Sequence, residues 1–369
     1  MEGKNNNQPI AHRSPAQIAW KRFRSNPPAI AGLLFIALVA LVSLLGPFIR
    51  PDSTPDANDQ SLALSRLKPG SSVTEIRLKN NTPEVGIWRE WLDGGKAKNH
   101  VAIAVDSLSC SNDSTTYWMK EQANANGTTI ANSDLMKHSD GGYLFRRTFY
   151  LGTDKYGRDL LSRLMAGALI SLAVGSIAVI ISLLVGLTLG LLAGYYRGWV
   201  DQLIMWFTNV IWAVPTLILV MAITFAFGTG FWKVFLAVGL TMWVEVARIA
   251  RGQVLSIREK EYIEAARALG FSEMRIIFKH VLPNILSPII VISAANFASA
   301  ILIEAGLSFL GLGAQIPTPS WGNMIREHYA YITTDLAYLA IVPGFMIMLL
   351  VLAFMMVGNG LRDALDVRE

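Results

Sequence analysis

The sequence predicts an all-α integral membrane protein with six transmembrane helices, a polar cytoplasmic loop and a long extracytoplasmic insertion after the first helix. Of the 369 residues, 52% are hydrophobic and 16% are charged, whereas a soluble domain carries about 25% charged residues. The charged side chains are also unevenly placed. Asp, Glu, Lys and Arg are absent from residues 164–196, 202–232, 280–303 and 336–361. Each of these runs exceeds the roughly 20 residues that a helix needs to cross the hydrocarbon of a bilayer.

The N-terminal segment, residues 1–28, is polar and basic, and the first transmembrane helix follows at residues 29–49. This apolar run is longer than the hydrophobic core of a signal peptide, and no small-residue cleavage site follows it. The basic residues before it are Arg13, Lys21, Arg22 and Arg24. Because basic residues flank the cytoplasmic side of membrane helices, we expect residues 1–28 to be cytoplasmic.

Residues 50–150 differ in composition from the rest of the chain. They are rich in Asn, Asp, Ser, Thr and Gly, and they lack an apolar stretch long enough to span a membrane. We interpret them as an extracytoplasmic insertion. Apolar and polar residues alternate between Val101 and Val105, which indicates a strand or two. The single cysteine, Cys110, excludes an intrachain disulfide and any cysteine metal cluster.

Residues 151–369 form the predicted core, which contains the five remaining transmembrane helices. Apolar runs place these helices at residues 168–194, 203–227, 231–249, 284–312 and 336–358. Pro215 lies inside the third span of the chain, where we expect neighbouring helices to satisfy the freed backbone groups. Six spans put both termini in the cytoplasm. Basic residues then concentrate on the inner side, above all in the loop at 250–283, as the positive-inside rule requires.

The loop at residues 250–283 carries the clearest functional pattern of the sequence. Residues 261–269 are strong helix formers and predict a short helix, which Gly270 ends in a left-handed conformation. Ser272 then provides an N-cap for a second short helix, and Pro283 begins the next span.

One face of the first loop helix is suited to a protein partner. Tyr262, Ala266 and Leu269 fall at helical spacing for burial in a partner's groove. The alternative is an amphipathic helix that rests on the lipid surface, since basic helices also bind membranes.

This loop resembles the EAA loop of ATP-binding-cassette importer permeases. The resemblance rests on Glu264-Ala265-Ala266, on Gly270 and on Pro283 after an apolar run. In that family the first loop helix is the coupling helix, which sits in a cleft of a separate ATPase subunit. The resemblance therefore implies an ATPase-docking surface that consists of Tyr262, Glu264, Ala265, Ala266, Leu269 and Gly270.

Three further segments resemble the C-type permeases of the dipeptide, oligopeptide and nickel family. They are residues 14–24, residues 151–163 before the second span, and residues 304–322. The resemblance implies a subunit of an importer in the bacterial cytoplasmic (inner) membrane that moves di- or oligopeptides. The implied partners are a second permease subunit of the B type, one or two ATP-binding subunits and an extracytoplasmic substrate-binding protein. Import of nickel or another small solute by the same machine is the alternative.

The chain has no motif for catalysis of its own. It lacks a nucleotide-binding P-loop, its histidines are scattered without metal-ligand spacing, and no serine or cysteine sits in a nucleophile motif. We therefore expect a transporter subunit, not an enzyme, that binds no cofactor, with ATP and Mg²⁺ held by partner ATPase subunits. The net charge of +5 belongs to the flanks of the spans, so the expected partner is membrane lipid and not nucleic acid. A membrane-anchored sensor or structural protein is the alternative class, although such a protein has no need of a docking loop.

Glu304 is the one acid deep in a long apolar run. A charge at the middle of a membrane costs about 2.5 to 3.5 kcal/mol on insertion scales, so such a residue usually faces a bundle interior or water. One interpretation is a residue of the transport pathway or gate. The alternatives are a position near the outer end of the span that reaches solvent, or a protonated and hydrogen-bonded side chain. Trp321, Tyr329 and Tyr331 are predicted to form an outer interfacial belt.

Overall fold

The computed structural model describes residues 15–82, 86–119, 127–138, 141–228 and 231–366. Residues 1–14 of the predicted N-terminal segment and three short stretches of the predicted insertion lie outside the described residues. The α-helices in chain order are α1 (Pro15–Arg24), α2 (Pro27–Ile49), α3 (Ile87–Leu92), α4 (Leu160–Tyr196), α5 (Gly198–Trp212), α6 (Thr216–Phe227), α7 (Phe231–Arg258), α8 (Glu261–Ala268), α9 (Glu273–Ile276), α10 (Leu282–Phe309), α11 (Trp321–His328) and α12 (Tyr338–Leu365).

Within the described residues, four helical stretches are long and apolar enough to cross a membrane: α2, α4, the stretch Glu273–Phe309 that contains α10, and α12. The pair of α5 and α6 passes the same test together, but the two helices meet at an angle of 94°. The predicted span over residues 203–227, with Pro215 inside it, is therefore sharply bent where the two helices meet. Pro215 precedes α6 as its N-cap residue. Proline disfavours helical backbone in the residue before it and lacks the N–H that would continue the helix.

The helix α7 is not among these candidate spans. It carries Lys233, Glu245, Arg248 and Arg251, and it runs on to Arg258 instead of ending near residue 249. The predicted count of six transmembrane helices thus stays a prediction.

Glycines on α4 bring α7 unusually close. A Cβ atom built on Gly186 would lie 2.5 Å from the carbonyl oxygen of Trp243, and one on Gly190 would lie 2.6 Å from that of Ala247. Real Cβ atoms essentially never approach another atom to less than 3.0 Å. Small residues at a helix contact are typical of membrane proteins, because they allow the two backbones to approach.

An apolar core joins the start of α4 to the helices that flank it. It is formed by α2, α4, α10, α11 and α12. Its buried side chains are Val39, Leu160, Leu164, Ala168, Ile301, Trp321, Met324, Leu339, Ile347 and Leu350.

A small antiparallel sheet lies in the chain between α2 and α4. Its strands are β1 (Ser71–Lys79), β2 (His100–Cys110), β3 (Ser114–Met119), β4 (Thr128–Ala131) and β5 (Phe145–Phe149), in the spatial order β4-β3-β2-β1-β5. Strand β2 contains the predicted strand at residues 101–105. The strands contain many β-branched and aromatic residues, which pack well on a pleated surface. The chain is therefore mostly helical and not all-α.

We expect Gly190→Ala to destabilise the folded protein. Its methyl group would overlap the carbonyl oxygen of Ala247 and the Cβ of Ala250, at 2.6 and 2.7 Å, and overpacking of this kind costs about 1–3 kcal/mol. Thermal unfolding in detergent should show a lower midpoint. Gly252→Ala is the matched control, because Gly252 is exposed on α7 and nothing lies within 4 Å of its Cβ position. Equal midpoints for the two variants would contradict the packing.

Candidate functional site

The loop after α7 folds into α8, a tight glycine turn and α9. Acidic residues in the first turn of α8 interact favourably with the positive end of the helix dipole. At the other end, the N–H of Phe271 donates to the carbonyl of Ala266 at 3.1 Å, and the N–H of Gly270 donates to that of Arg267 at 2.9 Å. These two bonds form a Schellman motif, which favours glycine because Gly270 has a φ of 76°. The predicted left-handed glycine is confirmed.

The inner face of α8 packs on its own protein. Ile263 is fully buried and Ala266 is 5% exposed. Both join a core with Val254 and Ile257 of α7 and Ile276 of α9. Ala266 is therefore buried within its own chain and does not belong to the exposed part of the predicted docking surface. Residues three apart lie on the same side of a helix, so Ile263 and Ala266 together anchor α8 to the helices beneath it.

The other predicted docking residues are exposed. Tyr262 and Leu269 are 41% and 74% exposed. We use the term outer face of α8 for the exposed predicted docking residues on the helix and just after its end. They are Tyr262, Glu264, Ala265, Leu269 and Gly270. Single exposed apolar side chains are normal on a protein surface, so the docking role of this face stays a prediction.

The second loop helix continues into the next span without a break. Residues 277–281 form a π-helical turn, in which the N–H of Leu282 donates to the carbonyl of Ile277. The prediction of a separate helix that stops before Pro283 is wrong, because Glu273–Phe309 is one helical stretch. A wider turn accommodates Pro283, which has no N–H to donate and whose ring would clash with the carbonyl of Lys279 in a regular α-helix.

Tyr195, in the last turn of α4, ties the loop to the long helices. It is 2% exposed, its hydroxyl donates to the carboxylate of Glu273, and Arg258 donates to its backbone carbonyl. The guanidinium groups of Arg258 and Arg267 lie 5.6 and 5.5 Å from the centre of its ring. Tyr195 was not predictable from the sequence, since no local pattern marks a residue that contacts the loop from more than 60 positions away.

Glu304 lies inside the protein. It is 1% exposed, and the hydroxyl of Ser308 donates to its Oε1 at 2.6 Å. Ser320 Oγ lies 3.1 Å from Ser308 Oγ. Among the described residues, no hydrogen-bond partner reaches Glu304 Oε2. The interpretation that Glu304 reaches solvent is therefore wrong, and the side chain is buried and hydrogen-bonded. Its role in a pathway or gate stays a prediction.

A buried charge network lies beside the start of α4. Arg158 is fully buried, with its Nε 2.5 Å from Asp154 Oδ2 and its Nη2 2.6 Å from Glu327 Oε2. Arg163 Nε lies 3.8 Å from the same Asp154 oxygen. Asp154 belongs to the turn before α4 and Glu327 to α11, so Arg158 joins segments that are distant in the sequence. Charges in a protein interior are stable only when they are paired and hydrogen-bonded.

The same network brings together three side chains of the types that bind metals. Ligand atoms of Asp154, Glu327 and His328 lie within 4.8 Å of one another, although the sequence showed no metal-ligand spacing. The Arg158 guanidinium already engages both carboxylates. His328 Nδ1 lies 2.7 Å from the carbonyl oxygen of Met324, and burial lowers the pKa of His328, which favours the neutral imidazole. The arrangement is thus an ion-pair network whose cation is Arg158.

Trp321 does not belong to an interfacial belt, so that prediction is wrong. It is 0% exposed, and its indole N–H donates to the carbonyl of Leu164 at 2.9 Å. Tyr329, by contrast, is 57% exposed. The hydrogen bond allows the indole to be buried, since a buried indole N–H needs a partner.

Comparison with known proteins places the chain in a family. The profile of the family described as "Binding-protein-dependent transport system inner membrane component" matches residues 186–368. A second profile, "N-terminal TM domain of oligopeptide transport permease C", matches residues 14–69. The di/tripeptide transport system permease protein DppC of Pseudomonas aeruginosa is 32% identical over 357 residues, which are 97% of this chain and 93% of that protein. The chain belongs to the binding-protein-dependent inner-membrane transport components.

Three further proteins are similar to this chain. The glutathione transport system permease protein GsiD of Pectobacterium atrosepticum is 36% identical over 80% of this chain and 95% of its own length. The dipeptide transport system permease protein DppC of Alkalihalophilus pseudofirmus is 45% identical over 59% of this chain and 71% of its own length. A solved chain of the inward-facing MetNI methionine ABC transporter has 19% identity and a TM-score of 0.47 over 55% of this chain and 95% of its own. Permeases of this family are multi-pass membrane proteins that work with ATP-binding and substrate-binding partners.

We expect Arg158→Met to destabilise the permease strongly, because it leaves the carboxylates of Asp154 and Glu327 buried without their cation. Removing one partner of a buried ion pair costs about 3–5 kcal/mol. Thermal unfolding of the purified protein would measure the loss. The control is Arg89→Met, which breaks an exposed pair with Asp93 and should change stability by less than about 1 kcal/mol. A small effect of both variants would argue against the network.

Proposed function

We propose that this chain is one of two membrane-spanning subunits of an ATP-driven importer for di- or oligopeptides. The observation that carries the proposal is the match to a di/tripeptide permease along 97% of the chain. The further relatives are permeases for dipeptides and for glutathione. In this proposal the chain catalyses no reaction, and partner subunits hydrolyse the ATP.

We also propose that α7 is a transmembrane helix, so that the chain has six spans with α5 and α6 counted as one. Arg251 supports this, because its Nε and Nη2 lie 2.5 and 2.6 Å from the two carboxylate oxygens of Asp201 on α5. Arg248 Nη2 donates to Asn209 Oδ1 at 2.6 Å. Charged side chains in membrane segments are tolerated when they pair within the bundle. Six spans leave the loop at 250–283 and both termini in the cytoplasm, with residues 50–150 outside.

The outer face of α8 is the proposed docking surface for an ATP-binding subunit. When ATP closes the two ATPase subunits, their cleft would carry α8 with it. Ile263 and Ala266 pack on the long helices, and the stretch Glu273–Phe309 is continuous, so a displacement of α8 passes directly into the spans. The spans then tilt from inward-open to outward-open, and an external substrate-binding protein delivers cargo to a path shared with the second permease subunit.

The orientation can be tested with the one natural cysteine. Cys110 is exposed and lies in the segment proposed to be outside, so a membrane-impermeant maleimide should label it in intact spheroplasts. In a Cys110→Ser background, Ala268→Cys on α8 should be labelled only after the membrane is permeabilised. Labelling of residue 268 from outside would overturn the proposed orientation.

We expect Glu264→Ala and Gly270→Val to uncouple ATP hydrolysis from transport while the protein stays in the membrane. The first removes a charge of the outer face of α8. The second forces a β-branched residue into the left-handed conformation that Gly270 adopts. The measurement is peptide uptake per ATP hydrolysed in proteoliposomes with the complete importer, and we expect a loss of at least about tenfold.

The control for this experiment is Glu259→Ala. Glu259 pairs with Arg197 in an exposed ion pair just before α8, and such pairs contribute little. Normal coupling in both test variants would count against the docking surface. The substrate class itself is tested by uptake of labelled di- and tripeptides into cells with and without the chain. Uptake of nickel but not of peptides would favour the alternative cargo.

A further inference from the structure

The middle of α7 exposes a carboxylate, Glu245, that lacks a partner among the residues that the structure describes. Glu245 is exposed, whereas Val244 and Val246 on either side are 3% and 0% exposed. No hydrogen bond or ion pair of Glu245 occurs in the part of the chain that the structure describes. This separates it from Arg248 and Arg251, the next charges along α7, both of which bind side chains of α5.

Glu245 lies within the depth of the span and not at its end. A Cβ on Gly194, near the C-terminal end of α4, would lie 2.9 Å from the carbonyl oxygen of Arg251. Glu245 is six residues before Arg251, which is about 9 Å further along the helix toward the middle of the span. Contact of an ionised carboxylate with lipid at this depth is unfavourable, so such residues face the bundle interior or a water-filled cavity.

A second, independent feature borders the same face of the molecule. The Arg248 guanidinium, one helical turn from Glu245, lies 3.7 Å from the ring centre of Trp212, the last residue of α5. The non-helical residues 213–215 that follow are exposed. Non-helical backbone at membrane depth is tolerated only where protein buries it or where it lines a water-filled cavity. The non-helical residues 213–215 and the carboxylate of Glu245 therefore both indicate that this face of the molecule does not contact lipid.

We infer that Glu245 lines the substrate path and binds the ammonium group at the amino terminus of the transported peptide. Carboxylate and ammonium form short, charge-assisted hydrogen bonds. Every unmodified peptide carries this ammonium group whatever its side chains, so recognition at Glu245 is independent of peptide sequence. The inference rests on the proposed peptide import and deepens it, since it names the chemical group that the path recognises and the residue that recognises it.

The position of Glu245 is tested by thiol chemistry on the complete importer in proteoliposomes. In the Cys110→Ser background, Glu245→Cys should react with a water-soluble thiol reagent, because the reacting species is the thiolate, which needs water. Dialanine together with ATP should slow this reaction. Leu184→Cys is the matched control, since Leu184 is 67% exposed on a candidate span and should not react. An unreactive residue 245 would overturn the inference.

Recognition of the ammonium group is tested by the uptake ratio of dialanine to N-acetyl-dialanine. Glu245→Gln should lower this ratio by roughly tenfold or more, because a hydrogen bond to a charged group is lost only for the free peptide. Both peptides pass the same external receptor in every variant, so a change in the ratio reports on the permease. Glu245→Asp should keep the ratio, and the control Glu259→Gln should leave it unchanged.

The outcomes separate this inference from the proposed function. If wild-type protein imports dialanine and Glu245→Gln keeps the wild-type ratio, the inference is overturned and peptide import stands; the residue then pairs with a cation of the second permease. If the wild-type importer carries neither peptide, the proposed cargo is wrong, and the recognition inference falls with it. A reduced uptake ratio in Glu245→Gln, with unchanged ratios in Glu245→Asp and Glu259→Gln, supports both the recognition inference and the proposed peptide import.

Discussion

The contact between α4 and α7 determines where charge can lie in this chain. A helix with Glu245, Arg248 and Arg251 cannot stand alone in hydrocarbon, because each unpaired charge there is unfavourable. The glycines of α4 let α7 approach to backbone contact on one side. On another side of α7, Arg248 donates to Asn209 of α5 and Arg251 donates to Asp201 of α5. This three-helix contact fixes the C-terminal end of α7, and the loop that contains α8 and α9 follows that end.

The loop that contains α8 and α9 depends on this contact in turn. A helix as short as α8 is marginal by itself, because helix formation is cooperative and begins with an unfavourable nucleus. Packing of Ile263 and Ala266 on α7 and α9 supplies the missing stability. Tyr195 adds a polar connection from the end of α4 to Glu273. The outer face of α8 is therefore preformed before any partner binds.

Features that depend on neighbouring residues were predictable from the sequence, and features that depend on tertiary contacts were not. The first span was expected at 29–49 and occurs at Pro27–Ile49, because a charge-free apolar run is a local property. Gly270 was expected to be left-handed, since the residues just before it already define a helix that must end. The bend at Pro215 has a local cause, but its angle depends on how α5 and α6 pack against α7.

The predicted exposure of Ala266 and Trp321 was wrong because burial depends on tertiary contacts. Ala266 was assigned to the partner face from its helical spacing and from the resemblance to the EAA loop, and neither says which side of the helix its own protein covers. Trp321 was expected at the interface as an amphipathic aromatic, yet a carbonyl on α4 satisfies its N–H inside the core. Arg158 and Glu327 are 169 positions apart, so no local pattern could show that they pair.

The pairing of β1 with β5 has a consequence for how the segment between α2 and α4 is held. β1 is the first strand after α2 and β5 is the last before α4, and the two are hydrogen-bonded neighbours from Ser71–Phe149 to Glu75–Phe145. The backbone thus enters and leaves the sheet on adjacent strands, about 5 Å apart. Residues between these two strands also contact α2 and its end, since Trp91 Nε1 donates to the carbonyl of Leu44 and Arg50 donates to the carbonyl of Gly94. A deletion between residues 80 and 144 would therefore remove contacts to the first long helix as well as strands of the sheet.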